Sequence, residues 1–420
     1  MATAPVSLDP AALVERFRAA LPARGRVYVP GVAAEPYALA EALAARPGLA
    51  DGLTFFGVWI PGVNRTDWSA VSEASRFETL FLAPELRAGF EAGKIDFLPI
   101  TYTRAWRWLE AAPVDGAMLQ VAPPDEDGNC SLSLASDFTP AIWERAPVRM
   151  AQINPALPAM PGAPSIPFDA FDAVCELETA PRGYDAGTLP PAFEQIAANI
   201  AALVEDRAAV QFGLGKVQLA VLPALKAHRQ LTIHSGMVSD PLLEILGGDT
   251  VAAIRTGAVL GSRALADALK NEPRLQMTPV NRTHALSILS GLAKFTAINS
   301  VIEVDLFGQA NAEFVAGRQV SGGGGLVDFA RGAQGSPGGK AIFALASTAR
   351  SGTVSRIVPR LPPDATTLTR ADVEIVVTEH GAADLRGLSL DARALALIDI
   401  ADPEFRDGLH RAWGEMRRTL

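Results

Sequence analysis

The stretch AVQFGLGKVQLAVLPAL, Ala209–Leu225, holds the architecture in miniature. Ala209–Phe212 is short and mostly apolar, as a buried strand should be. Gly213-Leu214-Gly215 interrupts it, and Leu219–Leu225 then reads as a helix. Just upstream, Phe193, Ile196, Ile200 and Leu203 recur at three- and four-residue spacing, which marks one helix face. The same order occurs earlier. Leu13, Phe17, Ala20 and Leu21 form a helical stripe that stops at Pro22. Strand-like Arg26–Val29 follows, then the loop Pro30-Gly31-Val32, then a helix bearing Tyr37, Leu39 and Leu43.

Two copies of helix, strand, glycine loop and helix predict two similarly built open α/β halves, each with a mainly parallel sheet flanked by helices. Pro and Gly concentrate over Pro181–Pro191, so the expected domains are residues 1–186 and 187–420. Ligands of open parallel sheets settle at the carboxyl ends of the strands. With two halves, the expected site is the cleft between them.

The 420 residues are enough for two or three domains. With 49% hydrophobic and 20% charged residues, the composition is that of a globular protein. A formal net charge of -9 argues against nucleic acid or an anionic membrane as the main partner, while leaving room for a small anion bound by local Arg or Lys. Cys130 and Cys175 are too few for a disulfide framework, and the five His are scattered, so no metal site is expected. The amino-terminal segment has no apolar signal core, and a cytoplasmic location is expected.

Glycine-rich stretches lie at Pro30–Val32, Phe212–Gly215, Ser321–Gly325 and Gly335–Gly339. Such loops are often simple turns. At a helix start they also bring main-chain N–H groups close to a phosphate or a developing oxyanion. Four glycines in a row, Gly322–Gly325, carry a large entropic cost, and that raises the weight of the second reading. Neither GxxxxGK[ST] nor GxGxxG is present, which speaks against a P-loop or dinucleotide site.

Longer motifs carry a resemblance. They are NSVIEVDLFGQ (Asn299–Gln309), GRQVSGGGGLVDFARGA (Gly317–Ala333), GGKAIFALASTA (Gly338–Ala349) and VEIVVTEHGAADLRG (Val373–Gly387). In the first half, VAPPDEDGNCSLS (Val121–Ser133) and AQINPALPAMPG (Ala151–Gly162) join them. Over roughly residues 20–410 the chain resembles the acetyl-CoA hydrolase/transferase family, class I coenzyme A transferases of the 4-hydroxybutyrate CoA-transferase kind. The resemblance implies a pair of open α/β domains, an oligomeric enzyme, a CoA thioester and a small carboxylate as substrates, and no permanently bound cofactor. It also implies covalent catalysis, in which a glutamate attacks the thioester and becomes a glutamyl-CoA thioester. By motif position, oxyanion and CoA contacts fall to Gln211, Phe212, Gly213 and Gly215, and to Gly322, Gly323, Gly324 and Gly325.

One departure decides the chemistry. Where the family reads His-(Thr or Ser)-Glu-Met and then Ser-Asp, this chain reads His234-Ser235-Gly236-Met237-Val238-Ser239-Asp240. Gly236 stands at the position of the nucleophilic glutamate and has no side chain to attack with. A second departure replaces the family's Ser-Gly-Val-Gly-Gly-Gln by Ser-Gly-Gly-Gly-Gly-Leu at 321–326. Glu244, on an expected helix Pro241–Leu246, reads as a solvated carboxylate. Glu303 and Asp305 share one face of a strand by the period of two. The resemblance makes Glu303 a poor nucleophile, because some family transferases carry Gln there. Asp328 and Glu379 read as structural acceptors. His234 is either a satisfied structural residue or a group that activates water.

Three readings stay open at this level. One is an acyl-CoA hydrolase or CoA-transferase that works without the covalent glutamate. Another is a transferase whose nucleophile comes from elsewhere in the chain or from a neighbouring subunit. The last is a CoA-binding protein or disarmed partner subunit. Aromatic residues gather in the first half at Phe55, Phe56, Trp59, Trp68, Trp106 and Trp108, where core packing competes with an acyl pocket as the explanation.

Overall fold

Burial of parallel strands on both faces sets the architecture, which is described from a computed structural model covering residues 4–185 and 187–419. In the first unit the sheet strands are β1 (Val6–Ser7), β2 (Arg26–Tyr28), β3 (Thr54–Phe56), β4 (Arg76–Thr79), β5 (Ile95–Phe97), β6 (Gly116–Val121), β7 (Val148–Ile153) and β8 (Ala173–Glu176). Their order is β1-β8-β7-β6-β2-β3-β4-β5, and every pairing is parallel. All six residues of β6 are buried, as expected for a strand covered on both sides.

In the second unit β9 (Ala209–Phe212), β10 (Leu231–Val238), β11 (Thr296–Ser300), β12 (Lys340–Ala344), β13 (Ile375–Thr378) and β14 (Gly381–Asp384) are successive neighbours in the order β10-β9-β11-β12-β13-β14. All of these pairings are parallel except the last, where β14 turns back on β13. The expected α/β class with mainly parallel sheets is therefore the observed one.

Local chemistry explains where the helices begin. Helix α1 (Pro10–Ala20) opens with Asp9, whose carboxylate accepts the Ala12 N–H at 2.8 Å, and with Pro10 in the first turn. It buries Leu13, Val14 and Phe17 and ends just before Pro22. Helix α2 (Tyr37–Ala44) and helix α3 (Tyr102–Ala111) complete the principal helices of this unit. In the second unit α4 (Ala192–Ala201) precedes β9, α5 (Lys216–Ala224) follows it, and α6 (Leu326–Gly335) follows the four-glycine run. The expected helix at Pro241–Leu246 is instead a short 3-10 turn, Asp240–Glu244.

The chain is not divided at a single point. One compact unit comprises residues 1–185, 238–240 and 255–283, and the other comprises 186–237, 241–254 and 284–420. Position 186, at the expected seam, lies outside the described residues. The expected domain 187–420 is corrected, because Arg255–Thr283 belongs with the first unit. Main-chain bonds hold it there: Ser136 N to Gly257 O (2.8 Å), Val259 N to Leu134 O (2.8 Å), Met277 N to Pro161 O (2.8 Å) and Val280 N to Asp137 O (3.0 Å). Among the described residues no helix is long and apolar enough to cross a membrane, and no group of acidic, His and Cys side chains is arranged to hold a metal.

The aromatic concentration of the first half is core at Phe55, Phe56, Trp59, Trp68 and Trp106, with Trp108 half-buried at its edge against Phe56. Trp59 meets Phe77 edge-on at 4.3 Å, Phe55 lies 5.0 Å from Trp68, and Trp68 is fully buried. The segment Trp59–Ser69 is pinned by Asn64. Its Oδ1 accepts from Val32 N (2.9 Å) and Ile60 N (3.0 Å), while Nδ2 donates to Val32 O and to buried Glu35 at 3.0 Å each. Those bonds hold Val32 at φ 53°, a left-handed conformation costly for a β-branched residue.

Burial also acts on Asp137 in the first unit, whose carboxyl accepts the Phe138 N–H at 2.8 Å. Desolvation pushes its acid up to about 7, well above the unfolded value of about 3.9. The neutral form is thus favoured in the folded protein. Its stabilising share is full below about pH 4 and is lost, at up to about 1.4 kcal/mol per pH unit, as the pH rises through 7. Asp137→Asn should flatten this part of the stability profile and exceed the unaltered protein in urea resistance at pH 8. Equal pH slopes for the two proteins between pH 4 and 7 would exclude the effect.

Candidate active site

The carboxyl ends of β9, β10 and β11 come together in the second unit. Gln211 on β9 and Asn299 on β11 exchange two amide hydrogen bonds, Gln211 Nε2 to Asn299 Oδ1 at 3.2 Å and Asn299 Nδ2 to Gln211 Oε1 at 3.0 Å. Both side chains are buried, so this reciprocal pair satisfies polar atoms that an apolar sheet otherwise leaves orphaned. Ser235 on β10 donates to Phe212 O at 3.1 Å and ties the third strand in. A Cβ at Gly213 would lie 3.1 Å from Asn299 Oδ1, so the chain leaves β9 in close contact with this pair.

The expected oxyanion donors at 211–213 need correction. The Gly213 N–H donates to Ile298 O at 2.9 Å and continues the sheet ladder, and the Phe212 N–H faces Ser235 Oγ at 3.5 Å. The Gln211 amide is taken up by Asn299. Gly215 instead sits at the start of α5 with φ 121°, a conformation open to glycine, and α5 has no side-chain cap. The run Ser321–Gly325 leads into α6, which likewise has no side-chain cap. The first N–H groups of a helix have no intrahelical acceptor, so such a start suits an anion or oxyanion. Within the run, Gly323 lies near Glu313: a Cβ there would be 3.9 Å from Glu313 Oε2. Glu313 accepts from Gln319 Nε2 (3.1 Å) and Thr367 Oγ1 (2.9 Å), and Gln319 Nε2 also reaches Ser321 O at 3.0 Å. Glu313 thereby braces the glycine run.

Gly236 lies on β10, half-buried, against the imidazole of His284. A Cβ at 236 would sit 2.9 Å from His284 Cε1 and 3.2 Å from Nε2. A Cβ at Gly325 would sit 2.4 Å from Nε2 of the same ring. The imidazole edge therefore occupies the ground where both side chains would begin. His284 is 2% exposed, and its ring packs on Phe329 of α6 with centroids 4.3 Å apart. Burial, with the charge of His234 second, pushes its conjugate acid down to about 3, so the ring stays neutral at physiological pH. His234 is also buried and meets Phe295 edge-on at 6.2 Å.

The remaining carboxylates are engaged in the framework. Asp305 is fully buried and accepts from Phe307 N, Gln309 N, Gln309 Nε2 and Leu361 N. Glu303 binds Arg356 at 3.3 Å and Asn311 at 3.1 Å, and Glu379 accepts from Ser347 N and Oγ. Asp328 stands in the first turn of α6, where an acid opposes the positive helix end. Glu244 is exposed on its 3-10 turn. His284, Asn299 and Glu313 were not singled out as site residues by sequence. A polar Asn in the apolar run TAINS was the available signal for one of them, whereas His284 carried none.

The contact between positions 236 and 284 has a measurable strength. Gly236→Ala should cost about 1–3 kcal/mol, because the ring it meets is held by Phe329 and cannot swing away. In a His284→Ala background the same change should cost under about 0.5 kcal/mol, giving a coupling near 1 kcal/mol or more in a double-mutant cycle. Strict additivity in urea unfolding would mean that the two positions do not touch in solution.

The acetyl-CoA hydrolase/transferase N-terminal domain matches residues 22–179, and the C-terminal domain of the same family matches residues 261–413. The 4-hydroxybutyrate coenzyme A transferase of Clostridium kluyveri is 32% identical over 396 residues, covering 91% of this chain and 92% of its own. The succinyl-CoA:cyclohexane-1-carboxylate CoA transferase of Geobacter metallireducens is 35% identical over 343 residues, covering 79% and 78%. The crystal structure of RipA from Yersinia pestis superposes with a TM-score of 0.88 at 27% identity, covering 98% of this chain and 97% of that one. On these matches the chain belongs to the acetyl-CoA hydrolase/transferase family.

Proposed function

We propose that this enzyme acts on a short-chain acyl-CoA, hydrolysing it or passing its CoA directly to a bound carboxylate, without an acyl-enzyme intermediate at position 236. The observation that carries this reading is the surroundings of Gly236: no side-chain nucleophile, a buried imidazole on one side, and the four-glycine run at the uncapped start of α6 close by. In hydrolysis, a water oxygen bonds to the thioester carbonyl carbon while a base takes its proton. The C–S bond then breaks, and CoA leaves as a thiolate that is reprotonated. In direct transfer, the acceptor carboxylate attacks instead, giving a mixed anhydride and CoA thiolate. The thiolate then attacks the acceptor's acyl carbon, forming the new thioester and releasing the donor acid. Both routes develop a negative oxygen on the former carbonyl, and N–H groups at the start of α6 suit that charge.

A second reading rests on the same glycine. With no carboxylate at 236 and Glu313 engaged by Gln319 and Thr367, the chain could serve as a CoA-binding partner subunit whose companion supplies the nucleophile. The two readings part in one assay. Purified protein with acetyl-, butyryl- or succinyl-CoA should release free CoA, or should exchange acyl groups when acetate is added. CoA binding without turnover on any of the three thioesters would overturn the proposal in favour of the partner subunit. Gly236→Glu alone should not install the covalent route, because its Cβ meets His284. Gly236→Glu with His284→Ala should trap a CoA adduct on the protein, detectable by mass spectrometry.

A further inference from the structure

We propose that a cavity of the first unit binds a monocarboxylate with an apolar body, and that Arg182 grips its carboxylate. The cavity measures about 350 Å³, within the span of about 300–1,000 Å³ usual for small-molecule sites. Leu134, Pro158, Val259 and Ala266 give it apolar walls, and Arg182 and Glu178 bring charge to it. All six belong to the first unit, and none is part of the candidate active site. The walls are fixed by hydrogen bonds. Val259 N donates to Leu134 O at 2.8 Å, and Ser133 Oγ to Pro158 O at 2.6 Å. The segment after β8 is held by Gln152 Nε2 on Leu177 O and Asn154 Nδ2 on Thr179 O, each at 2.9 Å, and by Tyr37 Oη on Ala180 O at 3.2 Å. The cavity is thus built into the fold.

Arg182 is the residue whose bonding is unfinished. Its side chain is 29% exposed, and its Cζ lies 3.9 Å from the centroid of the Tyr37 ring, which fixes the plane of the guanidinium. Nε stands 3.4 Å from Oε2 of fully buried Glu35, an ion pair whose alignment falls short of a hydrogen bond. Glu35 is shared with Asn64 Nδ2 at 3.0 Å and Trp68 Nε1 at 3.4 Å. An arginine carries its N–H donors in a rigid fork, and a carboxylate accepts two of them side by side. Here the Nη groups donate to no described residue. An arginine kept only to offset Glu35 would turn that fork on Glu35. Exposed Glu178 adds a negative charge to the lining, which disfavours a phosphate or a dicarboxylate. The apolar walls favour a hydrocarbon or aromatic body. Both routes proposed above consume and release carboxylates, so such a ligand is at hand during turnover, although its binding does not depend on that reading.

The test titrates the unaltered protein with hexanoate by calorimetry, beside hexanamide and inorganic phosphate. Hexanoate should bind, and hexanamide should bind about tenfold or more weakly, because it lacks the charge and the paired acceptors that the fork takes. Hexanamide binding as well as hexanoate, or phosphate binding more tightly, overturns the proposal. Amide exchange reads the location. At saturating hexanoate, peptides spanning 177–184 and 259–266 should exchange more slowly, and unchanged exchange in both overturns the site. Arg182→Gln should raise the dissociation constant for hexanoate about 10- to 100-fold. Ala266→Phe, which fills the cavity and leaves Arg182 in place, should weaken binding likewise. Either variant binding hexanoate as the unaltered protein does overturns the proposal. The exchange measurement needs no variant, so it decides even where Arg182→Gln does not fold. Absence of any acyl-CoA turnover sinks the reading of function instead and leaves these binding measurements standing.

Discussion

Strands buried on both faces cannot keep polar side chains along their length unless those groups find partners within the sheet. That constraint organises both units. Polar residues in the apolar strands gather toward the carboxyl ends and pair there: Gln211 with Asn299 in one unit, and Gln120 with Asn154, which donates to it at 2.9 Å, in the other. Each pair joins two strand ends through side-chain amide hydrogen bonds. What remains for chemistry is therefore the loop and helix start that follow, and the glycine runs lie in those places.

Absence of a side chain shapes this site as much as any functional group does. Two glycines, one on a strand and one opening a helix, admit the same imidazole edge. Gly236 is backed by a buried imidazole. Position 236 brings no charge of its own, and burial keeps the histidine neutral. The carboxylates that do remain nearby have framework duties, as the four donors converging on Asp305 and the bracing of Ser321 through Glu313 and Gln319 make plain.

Much of the fold was legible because its signals are local. The stripe Leu13–Phe17 and the run Ala209–Phe212 each depend on a few adjacent residues. The glycine at 236 was legible because fixed neighbours flank it. His284 was not, because its environment comes from residues 48 positions earlier and 41 later in the chain, a distance no spacing rule spans. The commitment of the Gly213 N–H to Ile298 was hidden for the same reason: strand register is a non-local property. The short turn at 240–244 defeated a helix expectation built on too few residues for periodicity to decide.

The interleaving of the two units bears on how the chain is made. The first unit includes Arg255–Thr283, which is hydrogen-bonded to residues near 134–161, so its set of contacts is incomplete when residue 185 leaves the ribosome. A further 98 residues, 283 minus 185, must be synthesised first, which at ordinary elongation rates takes about 5–20 s. During that interval the acceptors at Leu134 and Pro161 await their donors while the first strands of the other unit are already emerging. Maturation of the amino-terminal half is thus tied to translation of the carboxyl-terminal half, and a transcript cut at the apparent seam would encode an unfinished nucleus rather than a free-standing piece.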